Sequence, residues 1–202
     1  MTLRSTAIFA AVGAIALMGT AHAVPITVSP GSLSSLGTVK AAFAFADAAD
    51  TSTLIRLGFG GVIFNNQVDP VGTVKTVAGT SPGLIQFVLQ NVTQGYSFTN
   101  DLADTGPGGD TFYHARYLSR ALAPSGFGVT ISSSVLATID AQLGSGALFV
   151  AFEDRRGGDY DYNDLIFAFS SVTNATVPEP VSMAILGTGL LGLGLVRRRR
   201  AS

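Results

Sequence analysis

The sequence has no cysteine and no tryptophan. Without cysteine there is no disulfide framework, no thiolate metal site and no cysteine nucleophile. Stability must then come from a packed core or from a bound metal. The lack of tryptophan removes the largest aromatic face on which a sugar could stack. Histidine is nearly absent too: His22 lies in the N-terminal segment, which leaves His114. No H-E-x-x-H or P-loop occurs, and the one G-x-S-x-G match, Gly79-Thr80-Ser81-Pro82-Gly83, runs into the strand-like segment 84–89 and not into the helix that a nucleophile elbow needs. Ser125 and several aspartates exist, but nothing in the sequence gathers them around His114, which reads as a strand residue at a surface or rim. Glycosidase carboxylates come from separate elements across a cleft, whereas the acids here crowd one loop. The chain reads as non-catalytic.

Both ends are apolar. Arg4 precedes the run Ala7 to Met18, and Ala21-His22-Ala23 puts small side chains where a signal peptidase reads. These residues predict a secretory signal helix over 1–23, cleaved after Ala23, so that Val24 becomes the mature N-terminus. At the other end, 181–196 (VSMAILGTGLLGLGLV) carries no charge, and Arg197, Arg198, Arg199 and Arg200 follow directly. Sixteen residues make a somewhat short span for a hydrocarbon core of about 30 Å, which snorkelling arginines can extend. Pro180 can open this helix. Four arginines on one side predict a single pass through the inner membrane with the C-terminus cytoplasmic.

Val177-Pro178-Glu179-Pro180, the glycine-rich apolar run and the arginine cluster together resemble the PEP-CTERM sorting signal, over 177–202. The resemblance implies recognition by an exosortase, a membrane cysteine protease or transpeptidase, acting near Pro178, Glu179 and Pro180. It also implies a Gram-negative producer of exopolysaccharide and biofilm matrix. The expected route is export, a stay in the inner membrane, then the cell surface or extracellular matrix, with exopolysaccharide a possible neighbour.

With the ends removed, 24–176 is the right size for one domain. Of 12 Lys and Arg, Arg4 and Arg197 to Arg200 lie in the end segments, leaving seven; of 13 acids only Glu179 does, leaving twelve. The exported domain therefore carries a formal charge of −5. It has no basic stripe, which argues against nucleic acid as a partner. Short apolar runs recur: 39–46, 54–57, 61–64, 73–77, 84–89, 112–118, 127–131, 147–152 and 165–169. Turn residues such as Ser81-Pro82-Gly83 and Gly106-Pro107-Gly108-Gly109 separate them. This spacing predicts a mainly β domain, an antiparallel β-sandwich or jelly roll. Ser133 to Leu143 is the one stretch with helical spacing, through Leu136, Ile139 and Leu143. Val172 to Pro178 reads as a short flexible stalk.

The densest chemistry lies between two apolar runs. Glu153, Asp154, Asp159, Asp161, Asn163 and Asp164 put five carboxylates and an amide into twelve residues. Carboxylates brought together repel and raise one another's pKa values. A hard cation relieves this, and calcium takes about six to eight oxygens. Asp159, Asp161 and Asn163 have the spacing that opens an EF-hand loop, but Asp164 stands where that loop needs glycine and a strand follows. The expectation is a Ca2+ loop that is not an EF-hand. Strand alternation puts Asp159, Asp161 and Asn163 on one side and Tyr160, Tyr162 and Asp164 on the other, so the six do not all share one ion. Two other readings stand beside it. Asp and Asn build turns through their own backbone, and Arg155 and Arg156 can neutralise the same acids. A further alternative is a calcium-dependent carbohydrate-binding or adhesin module, with Tyr113, Tyr117, Tyr160 and Tyr162 supplying aromatic contacts.

Phe152-Glu153-Asp154 followed by 157–167 (GGDYDYNDLIF) is similar to an FED…GGDxDYND signature. That signature closes a bacterial exported domain of unknown function found before PEP-CTERM tails. The resemblance implies a β-rich extracellular domain that binds calcium, and no enzymatic activity.

Overall fold

The structure is a computed structural model and describes residues 25–175. The expected signal helix, its Ala21 and Ala23 cleavage site, the sorting tripeptide, the apolar span and the arginine tail lie outside the described residues. None of the described helices is long and apolar enough to cross a membrane.

The described chain folds into twelve strands and two helices: β1 (Ser32–Ser35), β2 (Lys40–Ala46), β3 (Ser52–Arg56), β4 (Val62–Asn65), β5 (Val74–Thr76), β6 (Gly83–Ile85), β7 (Phe87–Asn91), β8 (Tyr96–Thr99), β9 (Ala115–Ser119), α1 (Ala123–Gly126), α2 (Ser133–Leu143), β10 (Leu148–Phe152), β11 (Leu165–Phe169) and β12 (Val172–Ala175). They form three sheets with orders β5-β2-β11-β10-β9, β4-β3-β7-β8 and β12-β1-β6. Every pairing is antiparallel.

The five-stranded sheet is covered on both faces, which is why β11 (LIFAF) is buried along its whole length. Its inner face packs on the four-stranded sheet. There Phe43, Phe64 and Phe167 meet with ring centroids 5.3–5.8 Å apart, among Leu54, Leu89, Val150 and Phe152. The outer face alternates with it and is built from small residues: Ala42, Ala44, Ala151 and Ala168 lie beside Phe149 and Ile166. Alanines let helix α2 approach closely and seat Ile139 against the sheet. Ser132 caps this helix by accepting from the Val135 N–H.

The mainly β, antiparallel sandwich and the helix over Ser133–Leu143 match the sequence reading. Four local expectations do not hold. The run 84–89 is two strands, because the chain leaves one sheet after Ile85 and enters another at Phe87. The run 127–131 forms no strand; Phe127 and Ile131 instead fill the space beneath the outer face. Val172–Ala175 is not a stalk but the strand β12, paired to β1 with Ala175 opposite Ser32. His114 is not at a rim: it is 1% exposed, with its ring stacked on Phe98 at 3.8 Å.

Candidate metal centre

The acidic residues sit in the connection from β10 to β11, central neighbours paired over Leu148–Phe152 and Leu165–Phe169. Glu153 leaves the end of β10, where its N–H donates to the His114 carbonyl. The loop then turns at Gly157, in the left-handed region at φ +64°. Tyr160 (φ +54°) and Tyr162 (φ +60°) also adopt left-handed backbone. Such conformations are costly for bulky residues and persist only where surrounding contacts fix them.

Those contacts run through the tyrosine hydroxyls. Tyr160 donates to Asp110 Oδ2 at 2.8 Å, and burial together with that carboxylate pushes its phenol up to about 12. Tyr162 donates to the Tyr113 carbonyl at 2.8 Å and accepts from the Ile26 N–H at 2.9 Å. Both rings are buried among the outer-face residues. They are anchors of the loop, so the expectation that Tyr160 and Tyr162 offer aromatic surface to a ligand is corrected.

With the tyrosines turned inward, Asp159 and Asp161 come together with Glu153. A carboxylate oxygen from each lies within 4.8 Å of the other two. Glu153 is 2% exposed, and its Oε2 has no hydrogen-bond partner among the described residues. A buried charged oxygen without a partner is costly. Burial first, then the charges of Asp164, Asp159 and Asp161, pushes the Glu153 carboxyl well above the usual range. Burial and then Asp159 raise Asp161, and Asp47 at the end of β2 adds to this. The Asp47 N–H donates to the Asp164 carbonyl, which ties that strand end to the loop. Nothing in the sequence pairs Asp47 with residues more than a hundred positions away.

The remaining members of the acidic segment are placed differently. Asp154 turns to the other side, where its carboxylate accepts from Ser52 Oγ at 3.0 Å and its carbonyl from Asn91 Nδ2 at 2.9 Å. Asp164 Oδ2 accepts from the Asp154 N–H at 2.8 Å. Burial raises the carboxyls of both. Asn163 donates its amide to Asp161. Three of the six residues thus converge, and the other three brace them.

The two arginines do not neutralise the converging acids. Arg155 Nε pairs with Asp50 Oδ2 at 3.0 Å, and Arg156 grips Asp104 through Nε at 2.5 Å and Nη2 at 3.0 Å. A second grouping, Asp104, Asp110 and His114, is held by hydrogen bonds. Asp104 is held by Arg156. Asp110 accepts from Tyr160 and lies 3.1 Å from His114 Nε2, while His114 Nδ1 lies 3.2 Å from the Glu153 carbonyl. This network fixes the end of β10 from which Glu153 projects.

Three converging oxygen donors without nitrogen or sulfur suit a hard divalent cation. The orphaned Glu153 oxygen is the observation that fits a cation in particular. A solvated acidic turn would leave it facing water, and an ion pair would give it a partner; without a cation, the Glu153 carboxyl shares a proton with Asp164.

Comparison with known proteins bears on the C-terminal segment. Residues 176–200 match the PEP-CTERM protein-sorting motif. No curated protein and no solved structure matches the chain. A motif of this kind implies export, transit through a membrane-anchored stage and processing by an exosortase, and marks the chain as a substrate of sorting.

Proposed function

We propose that this chain is an exported, non-catalytic protein of the cell surface or extracellular matrix, sorted by an exosortase, whose β-sandwich domain binds calcium through Glu153, Asp159 and Asp161. The sorting half is supported by the match over 176–200, which follows β12 directly. It is tested by replacing Pro178, Glu179 and Pro180 with alanine in an exosortase-bearing host. The expected result is a precursor retained in the membrane; normal maturation of the variant defeats the reading.

The calcium half is carried by one observation: Glu153, buried and with its Oε2 unpartnered among the described residues, brings a carboxylate oxygen within 4.8 Å of one from Asp159 and one from Asp161, while both nearby arginines are engaged elsewhere. Bound calcium would replace mutual repulsion with shared coordination and would close the β10–β11 connection. Calorimetry with calcium, magnesium and neither tests this. The melting temperature is expected to rise with calcium at millimolar concentration, the range of extracellular calcium modules. An unchanged transition counts against the site. Exopolysaccharide is the neighbour expected of such a protein once it is delivered.

A further inference from the structure

The strand that hands the chain to the sorting motif belongs to the smallest sheet, β12-β1-β6. None of its strands carries a charge, and neither do the wider stretches 29–39, 76–100 and 165–178 that contain them. The exported domain as a whole is acidic. Strand alternation puts Leu33 and Ser35 inward and Ser32 and Ser34 outward. Leu84 pairs with Ser34, so it faces outward too, and it is 75% exposed. The Leu36 N–H donates to the Ser171 carbonyl and continues the ladder, which puts Leu36, 65% exposed, on that same face. Beside it, Leu33, Leu57, Leu84 and Ile85 line a hollow of about 250 Å³ that holds both Arg56 and Asp101, whose buried carboxylate accepts from Gln86 Nε2 and Ser32 Oγ.

The length of the connection says what meets this face. β12 ends at Ala175 and the apolar run begins at Val181. Five residues intervene, two of them proline, and even fully extended they reach about 20 Å. A domain of about 150 residues has a radius of gyration of about 15 Å. The connection is therefore shorter than the domain is wide, and the β12 side must sit at the headgroup layer. There a sheet face whose strands carry no charge and whose leucines point outward is favourable, with the neighbouring Asp101 buried and hydrogen-bonded beside Arg56, whereas the acidic remainder would be repelled by anionic lipid.

We infer that, while the tail is held in the membrane, the outer face of the β12-β1-β6 sheet rests on the bilayer surface with Leu36 and Leu84 in the interface. This rests on the sorting reading above. Contact is made during transit and is released when the tail is removed.

The cysteine-free sequence makes the test direct. Leu36→Cys and Leu84→Cys, with Val68→Cys and Val92→Cys as exposed controls, are expressed in the full chain in a host lacking exosortase. Spheroplasts are treated with a membrane-impermeant maleimide, before and after mild detergent. Positions 36 and 84 are expected to react about tenfold faster after detergent, as for a face covered roughly nine-tenths of the time; positions 68 and 92 are expected not to change. Equal rates at all four positions in the membrane overturn the inference. Protection at 36 and 84 that survives detergent also overturns it, because a protein and not lipid would then be the cover. Alkaline carbonate extraction separates the two readings: a chain that washes off the membrane defeats the anchored tail, and this inference with it.

Discussion

Glu153 occupies the space that a side chain at residue 158 would need. A Cβ built on Gly158 collides with Glu153 Oε1 and comes within 3.0 Å of its Cδ. The glycine is therefore required for room: Gly158 lies outside the left-handed region that Gly157 occupies. The backbone of the loop at Gly158 packs directly on the Glu153 carboxylate.

Gly158→Ala follows from that contact. The added methyl strains no dihedral, so its effect passes through Glu153. The carboxylate must leave the position in which it meets Asp159 and Asp161. Calcium affinity is expected to fall by about tenfold or more, which is about 1.4 kcal/mol. Isothermal titration calorimetry of the variant and the parent measures it. Equal affinities would separate Glu153 from the ion.

Glu153→Gln tests the same group with the opposite sign in the absence of metal. The amide keeps the shape but avoids the cost of taking up a proton on folding, which burial and the neighbouring carboxylates impose on Glu153 by pushing its carboxyl up to about 9. Without calcium the variant should melt higher than the parent. A gain of about 1 kcal/mol corresponds to about 2–4 °C in a domain of this size. With calcium the order should reverse, since the variant loses a ligand. A thermal melt of both proteins with calcium and with chelator gives all four values.

Tyr162→Phe removes one hydroxyl that serves two partners, the Tyr113 carbonyl and the Ile26 N–H. Both groups are left wanting, at a cost of about 1–3 kcal/mol. The loss should appear as a lower denaturant midpoint and as faster amide exchange at Ile26, because the hydroxyl holds the segment before β1. A global loss of stability with unchanged exchange at Ile26 would contradict that role.

Asp69 provides a pH test far from the acidic loop. Burial alone would raise its carboxyl, but Lys75, in contact with Asp69 Oδ1 at 2.6 Å, and the Asn65 N–H together hold it below 3.8. A native value below the unfolded one contributes stability above about pH 4, and that contribution fades as the pH falls through the native value. Lys75 is partly exposed, so the pair is worth only about 0.2–1 kcal/mol. Asp69→Asn should therefore melt slightly lower than the parent at neutral pH, with the gap closing in acid. A gap that persists at the lowest pH at which the protein folds would assign it to packing.

Legibility from sequence followed the range of the interactions involved. The helix at Ser133–Leu143 could be read because its signal is local: Leu136, Ile139 and Leu143 fall at helical spacing. Strands β2, β10 and β11 showed for a similar reason, as dense apolar runs. β1 (SLSS) did not, since serines carry no strand pattern and this strand is fixed by partners near residues 84 and 174. Gln86, where the chain changes sheets, looks like any residue in an apolar run. The acidic loop was visible, and so was the restriction that its six residues do not all share one ion. Which three converge was not visible, because that depends on Tyr160 and Tyr162 turning into the core. Nor was it visible that Arg155 and Arg156 reach Asp50 and Asp104, at 105 and 52 residues' separation.

The position of β11 bears on how the chain is made. It is the middle strand of the five-stranded sheet, with β2 on one side and β10 on the other, yet it is built from residues 165–169. Until that segment arrives, β2 and β10 have no neighbour to join them, and neither face of the sheet has its central row of side chains. A chain exported N-terminus first thus lacks the strand that joins the two halves of its largest sheet for most of its passage. It can close the five-stranded sheet only as its last strands emerge, just before the segment that carries the sorting motif.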